Sequence, residues 1–300
     1  MFASLPYLIR LPLVSILLAA NLIAHVTPLF ALTLLKLVLR MGAIQRACSY
    51  ALTAIAQSWI AVNNALFDGF TRTRWSIEGI SQLRSQQNYL VLCNHQSWVD
   101  IPVLQKVFNR RIPFLRFFLK SQLIWVPLLG QAWWALDFPF MRRYSSKTLA
   151  EHPELRGKDL EATRRACAKF RQLPVSVMNF VEGTRFTAAK HAAQSSPYRN
   201  LLRPRAGGVA FALDAMGDAL QAILDVTVVY PDGRPGIGDL LAGRVHDIRV
   251  HVRELPITAD LRGDYESDAQ FRERFQRWMN ALWEAKDERI TRLQKQLPKA

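Results

Sequence analysis

The 300-residue sequence is poor in cysteine, glycine and proline, and each shortage excludes a class of protein. Its three cysteines are odd in number and form no Cys-x-x-Cys pair, which excludes a disulfide scaffold and disfavours a cysteine-based zinc site. With 14 glycines and 15 prolines the chain is neither collagen-like nor of low complexity. Because 50% of its residues are hydrophobic, the chain can fill a core, and intrinsic disorder is excluded. Scattered cysteines that stay reduced are typical of a protein that faces the cytosol.

Acidic residues are also few. The 24 Asp and Glu residues are outnumbered by 39 Lys and Arg residues, so the formal net charge is +15. Nucleic acid and anionic lipid are the two partners that carry dense negative charge. The sequence contains neither zinc-ligand spacing nor an aromatic–basic RNA-binding signature, and it has a long uncharged segment near its N-terminus. We therefore expect an anionic membrane, and no nucleic acid, as partner.

The uncharged segment is Leu11–Leu35, 25 residues without Asp, Glu, Lys or Arg. A helix that spans a bilayer needs about 20 mostly apolar residues. The segment fits a single span that is tilted or kinked at Pro28, or a re-entrant pair of half-helices. A cleaved signal peptide is disfavoured because the run is long and no Ala-x-Ala-like site follows it. A buried core helix is the remaining alternative, although such helices seldom run this long without charge.

A second helix is predicted over Met41–Phe67, where apolar residues recur at spacings of three and four. It either lies in the membrane interface, packs beside the first helix, or belongs to the core of the body. Basic residues are more numerous after the uncharged segment than before it, which places the body on the cytoplasmic side. Residues 1–70 are thus predicted to be membrane-anchoring helices.

Residues 71–300 alternate short β-rich runs with helical patterns, without an internal linker. This predicts one α/β domain with a mixed central sheet flanked by helices. The predicted strands are Arg74–Glu78, Tyr89–Cys93, Ala135–Phe140, Val175–Val181, Ile223–Tyr230 and Ile248–Arg253. The predicted helices are Asp100–Val107, Leu160–Leu173, Gly208–Met216 and a C-terminal packing helix, Tyr265–Gln296.

The segment NHQSWVD, which contains His95 and Asp100, follows the predicted strand YLVLC directly. A carboxylate beside an imidazole fixes its tautomer and stabilises the imidazolium, which makes a general base. The spacing of five brings the two side chains together only if a tight turn joins the strand to the next helix. Alternatively, Asp100 caps that helix, alone or with Ser97 in a capping box, and His95 is a buried structural histidine.

A second polar segment, EGTR, follows the predicted strand SVMNFV. Arg185 can hold two phosphate oxygens, Gly183 allows close approach of the backbone, and Thr184 can donate a hydrogen bond. Glu182 can fix Arg185 or accept from a substrate hydroxyl. The alternative is an ordinary turn with an exposed ion pair.

NHQSWVD and FVEGTR, in this order and nearly ninety residues apart, resemble the two signature motifs of the glycerolipid acyltransferases, specifically the 1-acylglycerol-3-phosphate (lysophosphatidic acid) acyltransferases. The resemblance runs from about Trp75 to Tyr230. It implies that His95 deprotonates the acceptor hydroxyl and that Asp100 orients it. It also implies a phosphate-binding group, Glu182, Gly183, Thr184 and Arg185.

Two basic residues between the motifs also match family positions. Lys120 is one, and Arg142 is the other, in a middle motif where Asp137 stands in the place of the family's glycine. The resemblance implies that no cofactor or metal is required, because acyl-CoA or acyl-carrier protein is a substrate that donates the acyl group. The product from lysophosphatidic acid would be phosphatidic acid.

The hydrophobic N-terminus and the segment FFLKSQLIWVPLLG look like bacterial inner-membrane members of the family. We therefore expect a bacterial inner-membrane enzyme whose catalytic domain faces the cytoplasm. No Gly-x-Ser-x-Gly motif is present, so no serine nucleophile is expected. The alternatives are the same chemistry on another lysolipid acceptor, a hydrolase in which water replaces the acceptor, or a non-catalytic basic scaffold on the membrane.

Overall fold

The structure is a computed structural model and describes residues 2–39, 41–141 and 174–296. The helices of the described residues are α1 Tyr7–Val38, α2 Gly42–Phe70, α3 Asp100–Phe108, α4 Leu129–Ala135, α5 Ala188–Ala193, α6 Ala206–Met216, α7 Ile237–Leu241 and α8 Ala269–Lys295. The strands are β1 Arg74–Glu78, β2 Tyr89–Cys93, β3 Leu115–Phe117, β4 Leu119–Lys120, β5 Phe140–Met141, β6 Ser176–Phe180, β7 Ala222–Val229 and β8 Asp247–Pro256.

The first helix, α1, is continuous through Pro12 and Pro28 and packs beside α2. It is the one helix among the described residues that is long and apolar enough to cross a membrane. Both helices bury apolar side chains, among them Val26, Leu29, Leu52 and Ile60, and a polar contact also joins them. The Asn21 amide donates to Asn63 Oδ1 at 2.8 Å and to the Trp59 carbonyl at 3.1 Å.

The outward face of α1 is apolar instead of polar. Large hydrophobic side chains are exposed along its length, namely Leu8, Ile9, Ile16, Ile23, Leu34, Leu35, Leu37 and Val38. A helix in water usually has a polar outer face, so an apolar outer face is the arrangement expected of a helix in contact with lipid. Of the two structures expected for Leu11–Leu35, the fold contains one continuous helix and not two half-helices.

The body is built on a six-stranded mixed sheet of order β1-β8-β7-β2-β6-β3. β7 and β8 pair antiparallel, and the other neighbours pair parallel. A mixed sheet flanked by helices confirms the predicted fold class.

The central strand β2 is fully buried on both faces, which explains its uninterrupted apolar sequence. Its alternate residues enter two separate cores. Tyr89, Val91 and Cys93 join the core that includes apolar residues of α1, α2 and α3, whereas Leu90 and Leu92 join the core formed with α6 and α8.

The predicted strands agree with the structure except in one place. β1 and β2 have the predicted bounds, and β6, β7 and β8 differ from theirs by one to three residues. The predicted strand Ala135–Phe140 is wrong. Helix α4 extends to Ala135, and Asp137 adopts a left-handed conformation with φ +59° that prevents an extended strand. Only Phe140 and Met141 pair, with Leu119 and Lys120.

The predicted helices over Asp100–Val107 and Gly208–Met216 are present with slightly different bounds. The C-terminal helix begins at Ala269 and not at Tyr265, because the Asp268 side chain caps it by accepting from Gln270 and Phe271 N–H groups. The predicted helix Leu160–Leu173 lies outside the described residues.

Candidate active site

The site forms where the carboxyl ends of β2, β6 and β7 meet at one edge of the sheet. These strands are parallel neighbours, with Cys93 paired to Phe180 on one side and Val226 on the other. Loops from the ends of adjacent parallel strands meet there, which is the usual position of sites in α/β proteins. The amide of Asn94 holds two of the strand ends together, because it donates to the Val228 carbonyl and accepts from the Val228 N–H, each at 2.9 Å.

The loop from His95 to Asp100 makes the tight turn that is required for the two side chains to meet. His95 Nδ1 lies 2.8 Å from Asp100 Oδ2, and that oxygen also accepts from the backbone N–H groups of Gln96 and Ser97 at 2.7 and 2.9 Å. The other carboxylate oxygen accepts from the Tyr230 hydroxyl at 2.7 Å. Asp100 therefore closes the turn and contacts the imidazole. The alternative that it caps α3 is wrong, because Asp100 is the first residue of the helix and the cap position is Val99.

The contacts of Asp100 fix the orientation of the imidazole. A carboxylate oxygen can only accept, so the neutral ring donates from Nδ1 and leaves its other nitrogen, Nε2, as an acceptor. No group in the described ranges hydrogen-bonds to Nε2. One face of the ring stacks on Phe180, with centroids 3.8 Å apart and planes 13° from parallel. The His95 side chain is 12% exposed, so the ring is held by its neighbours but can be reached from outside.

Burial and hydrogen bonding make the neutral form of Tyr230 the stable one. Burial raises the pKa of the Tyr230 hydroxyl well above its ordinary value, and the neighbouring Asp100 charge raises it further. The phenol therefore stays protonated and donates to Asp100. Tyr230 is not among the site residues predicted from the sequence. Its only signal is that an aromatic hydroxyl follows a buried strand directly.

Glu182 connects two backbone segments and is fully buried. One of its carboxylate oxygens accepts from the His95 N–H at 2.7 Å, and the other accepts from the Leu202 N–H at 2.9 Å. Burial raises the pKa of Glu182 to about 7, although the two N–H donors act in the opposite direction. The expectation that Glu182 fixes Arg185 is not met in the structure, because both oxygens already bind backbone N–H groups.

The rest of the EGTR segment forms a tight turn beside the His95 loop. Gly183 has φ +67°, and a Cβ at this position would lie 2.8 Å from Cδ of Arg205. Thr184 Oγ1 accepts from Lys190 Nζ at 2.7 Å. The Arg185 guanidinium lies 4.3 Å from the ring centroid of Trp98, a residue of the His95 loop. The structure thus brings the two motifs together.

Of the two remaining predicted residues, Lys120 and Arg142, the structure describes only Lys120. Lys120 is exposed in β4 and pairs in register with Met141 of β5. Arg142, the next residue along the chain, lies outside the described residues. Asp137 occupies the left-handed conformation that glycine favours, which accounts for glycine at that place in the family, and its carboxylate pairs with Lys36 Nζ of α1 at 3.1 Å.

The part of the chain that the structure describes contains no group of three or more His, Cys, Asp or Glu side chains that could hold a metal ion.

Comparisons with curated proteins give relatives of one kind. The chain is 29% identical over 213 residues to a mouse protein named 1-acyl-sn-glycerol-3-phosphate acyltransferase gamma, which covers 67% of this chain and 52% of the relative. It is 26% identical over 215 residues to an Arabidopsis thaliana protein named probable 1-acyl-sn-glycerol-3-phosphate acyltransferase 5, covering 67% and 54%. A mouse protein named lysocardiolipin acyltransferase 1 is 28% identical over 251 residues, covering 79% and 62%. The chain spans about half to three fifths of the length of these relatives.

A solved structure shares the fold. The crystal structure of the 1-acyl-sn-glycerophosphate (LPA) acyltransferase PlsC from Thermotoga maritima matches with a TM-score of 0.53 and 16% identity, covering 98% of this chain and 100% of that chain. Residues 74–231, just over half of the chain, match the sequence model of the family described as Acyltransferase. This confirms the resemblance drawn from NHQSWVD and FVEGTR, and the chain belongs to the acyltransferase family.

Proposed function

We propose that the protein is a membrane-bound O-acyltransferase that moves a fatty acyl group from a thioester to the free hydroxyl of a lysophospholipid. The donor is acyl-CoA or acyl-carrier protein, and the acceptor is lysophosphatidic acid, which becomes phosphatidic acid. The observation that carries the proposal is the His95–Asp100 pair, with Nδ1 held at 2.8 Å and Nε2 available as an acceptor. The names of the relatives support the substrate class.

The chemistry follows from the tautomer. Nε2 of His95 takes the proton of the acceptor hydroxyl while its oxygen attacks the thioester carbonyl, and Asp100 stabilises the imidazolium that forms. The C–O bond forms, the C–S bond breaks, and the departing thiolate takes the proton back from His95. General-base catalysis of this kind accelerates a reaction by about 10²–10⁴-fold. The step forms no covalent intermediate on the protein.

The phosphate of the acceptor is assigned to the turn beside the base. Gly183 lets the backbone approach, Thr184 presents its hydroxyl, and Arg185 provides a planar guanidinium that suits bidentate binding. Glu182 holds this turn against the His95 loop through backbone contacts, so its role is to position other groups. Lys120 is an exposed basic residue without a partner in the described residues, and we assign it and Arg142 to further phosphate contacts.

A second acceptor is supported by one comparison. The relative with the larger aligned share of this chain, 79%, is named lysocardiolipin acyltransferase 1. The same base and phosphate turn suit any lysolipid with a free hydroxyl near a phosphate. The acceptor therefore has to be determined by direct competition between lysolipids.

The helix pair supports attachment to a membrane. Polar contacts lie between α1 and α2, while large apolar side chains cover the outside of α1. Trp98 and Trp125 are also exposed, at 52% and 81%, and tryptophan favours the level of lipid headgroups. Together with the net charge of +15, this supports an anionic membrane as partner, and we assign the protein to a bacterial inner membrane with its body towards the cytoplasm.

The test is a product assay with purified protein in detergent or anionic vesicles. Labelled acyl-CoA and acyl-carrier protein are offered separately with lysophosphatidic acid, lysocardiolipin and other lysolipids, and the lipid products are identified by mass. We expect acylated lysolipid from the wild type and none above background from His95→Ala. Release of free fatty acid alone would indicate a hydrolase, and no product from either protein would indicate a non-catalytic scaffold.

A further inference from the structure

Arg234 lies beside the active site and is absent from both sequence motifs. It belongs to the turn PDGRPG that follows β7. Its guanidinium carbon lies 3.8 Å from the ring centroid of Phe186, the residue directly after Arg185. A guanidinium stacked on an aromatic ring keeps its N–H groups free at the edge, where they can bind a planar or tetrahedral anion.

Two contacts attach the surroundings of Arg234 to the loop of the base. The N–H of Phe186 donates to the His95 carbonyl at 2.8 Å. The hydroxyl of Ser97 donates to the carbonyl of Pro235, the residue after Arg234. The turn that carries Arg234, and the ring on which its guanidinium stacks, therefore both contact the loop that orients the imidazole.

The charge of Arg234 is not neutralised by a carboxylate in the described ranges. This differs from other arginines of the body. Arg249 pairs with Asp247, and Arg253 pairs with Asp225. Packing against its neighbours lowers the pKa of Arg234, while the charge of Glu182 opposes that shift. The carboxylate oxygens of Glu182 already accept backbone N–H groups, so the exposed guanidinium of Arg234 is available to bind an added anion.

We propose that Arg234 is a second phosphate-binding arginine of this site, acting with Arg185. The two guanidinium groups stack on Phe186 and Trp98, which belong to the two loops that meet at His95. The ligand is a phosphate ester. It comes either from the acceptor lysolipid or from the phosphates of the thioester donor, and this inference rests on the proposed function.

Binding measurements separate the two sources without any turnover. Wild type, Arg234→Gln and Arg234→Lys are titrated at low salt with coenzyme A and with glycerol 3-phosphate, neither of which carries an acyl group. Arg274→Gln is the matched control, since Arg274 is an exposed arginine that also lies over a phenylalanine ring, 5.5 Å from Phe271 on α8. We expect Arg234→Gln to raise the Kd of one probe about tenfold or more and Arg274→Gln to leave both unchanged. The Kd of Arg234→Lys should lie between those of the wild type and Arg234→Gln, because lysine keeps the charge but lacks the planar guanidinium.

The probe whose Kd rises identifies the source of the phosphate. The KM of the corresponding substrate should rise by a similar factor, with a smaller change in kcat. Unchanged Kd values for both probes in Arg234→Gln, an equal effect of Arg274→Gln, or no saturable binding of either probe to the wild type would each overturn the proposal. An active wild type with unaltered Arg234→Gln constants contradicts the role of Arg234 alone. A wild type that binds through Arg234 but transfers no acyl group contradicts the proposed function alone.

Discussion

The loops at the ends of β2 and β6 are each built around a fully buried carboxylate. Asp100 lies in the first loop and Glu182 at the start of the second. Each accepts two backbone N–H groups, which satisfies part of its charge and fixes the turn. By burial and backbone contacts alone, the two groups are nearly equivalent.

Their remaining partners differ. Asp100 also binds an imidazole and a phenol, whereas both oxygens of Glu182 bind backbone only. Asp100 can therefore orient a reactive ring, while Glu182 can only set the distance between two segments of chain. The function of a buried carboxylate in this site therefore depends on whether a titratable side chain is among its partners.

Replacement of His95 should have the largest effect on kcat, since it removes the imidazole that Asp100 of the first loop orients. We expect His95→Ala to lower kcat by about 10²–10⁴-fold, because the acceptor hydroxyl loses its base. Initial rates of acyl transfer are the measurement, and circular dichroism and vesicle binding check that the variant remains folded and attached. A rate within a few-fold of the wild type would mean that His95 is not the base, and the two loops would then not differ in their chemical role.

Asp100→Asn keeps the shape of the side chain but replaces one acceptor oxygen with a donor. The amide cannot accept from His95, two backbone N–H groups and Tyr230 together, so the ring loses its fixed tautomer. We expect kcat to fall by about 10²-fold or more. Tyr230→Phe is the control, because it removes one hydrogen bond and should lower kcat by about tenfold or less. Near-normal turnover of Asp100→Asn would reduce Asp100 to the structural role of Glu182.

Glu182 should affect stability more than chemistry, and its effect should depend on pH. Its pKa is raised from 4.5 to about 7 in the folded protein, so the stability it contributes is complete below about pH 4.5 and is lost as the pH rises through 7. Relative to Glu182→Gln, the wild type should lose about 3 kcal/mol of unfolding free energy between pH 4.5 and 8.

Chemical denaturation of both proteins across this pH range measures the difference. Glu254→Gln, which changes an exposed glutamate of β8, is the matched control and should leave the pH dependence unaltered. A constant difference between wild type and Glu182→Gln would mean that Glu182 remains charged throughout, held by its two N–H donors.

The sequence predicts each loop but not what joins them. β1, RWSIE, alternates polar and apolar residues, and β2, YLVLC, is a short apolar run; the predicted bounds of both strands agree with the structure. The spacing of His95 and Asp100 leaves open whether the two side chains meet, and their pairing is implied by the resemblance to the acyltransferases. The link between the loops consists of Glu182 and backbone N–H groups, which carry no residue-type signal, and the phenol of Tyr230 comes from a position 130 residues away from Asp100.

The errors have similar causes. Ala135–Phe140 is apolar enough for a strand, but the left-handed Asp137 closes helix α4 through a hydrogen bond from Phe138 N to the Trp133 carbonyl. β3 has three residues, too few for a periodic pattern, although it completes the sheet beside β6. The left-handed conformation of Asp137 and the pairing of β3 with β6 both depend on tertiary contacts, which the local sequence pattern does not show.

Replacement of Arg185 should have the smallest effect of these variants, and one that is specific for the phosphate of the acceptor. The Arg185 guanidinium stacks on Trp98 of the first loop, while its backbone belongs to the second loop. We expect Arg185→Ala to raise the KM of the phosphate-bearing acceptor about tenfold, with kcat changed less, since charge-assisted hydrogen bonds to phosphate are lost while the base is intact. Monoacylglycerol, an acceptor without phosphate, serves as the control and should be used equally poorly by both proteins. If the variant instead lost kcat on both acceptors, the stack on Trp98 would be maintaining the His95 loop, and the chemical and binding roles could not be assigned to separate loops.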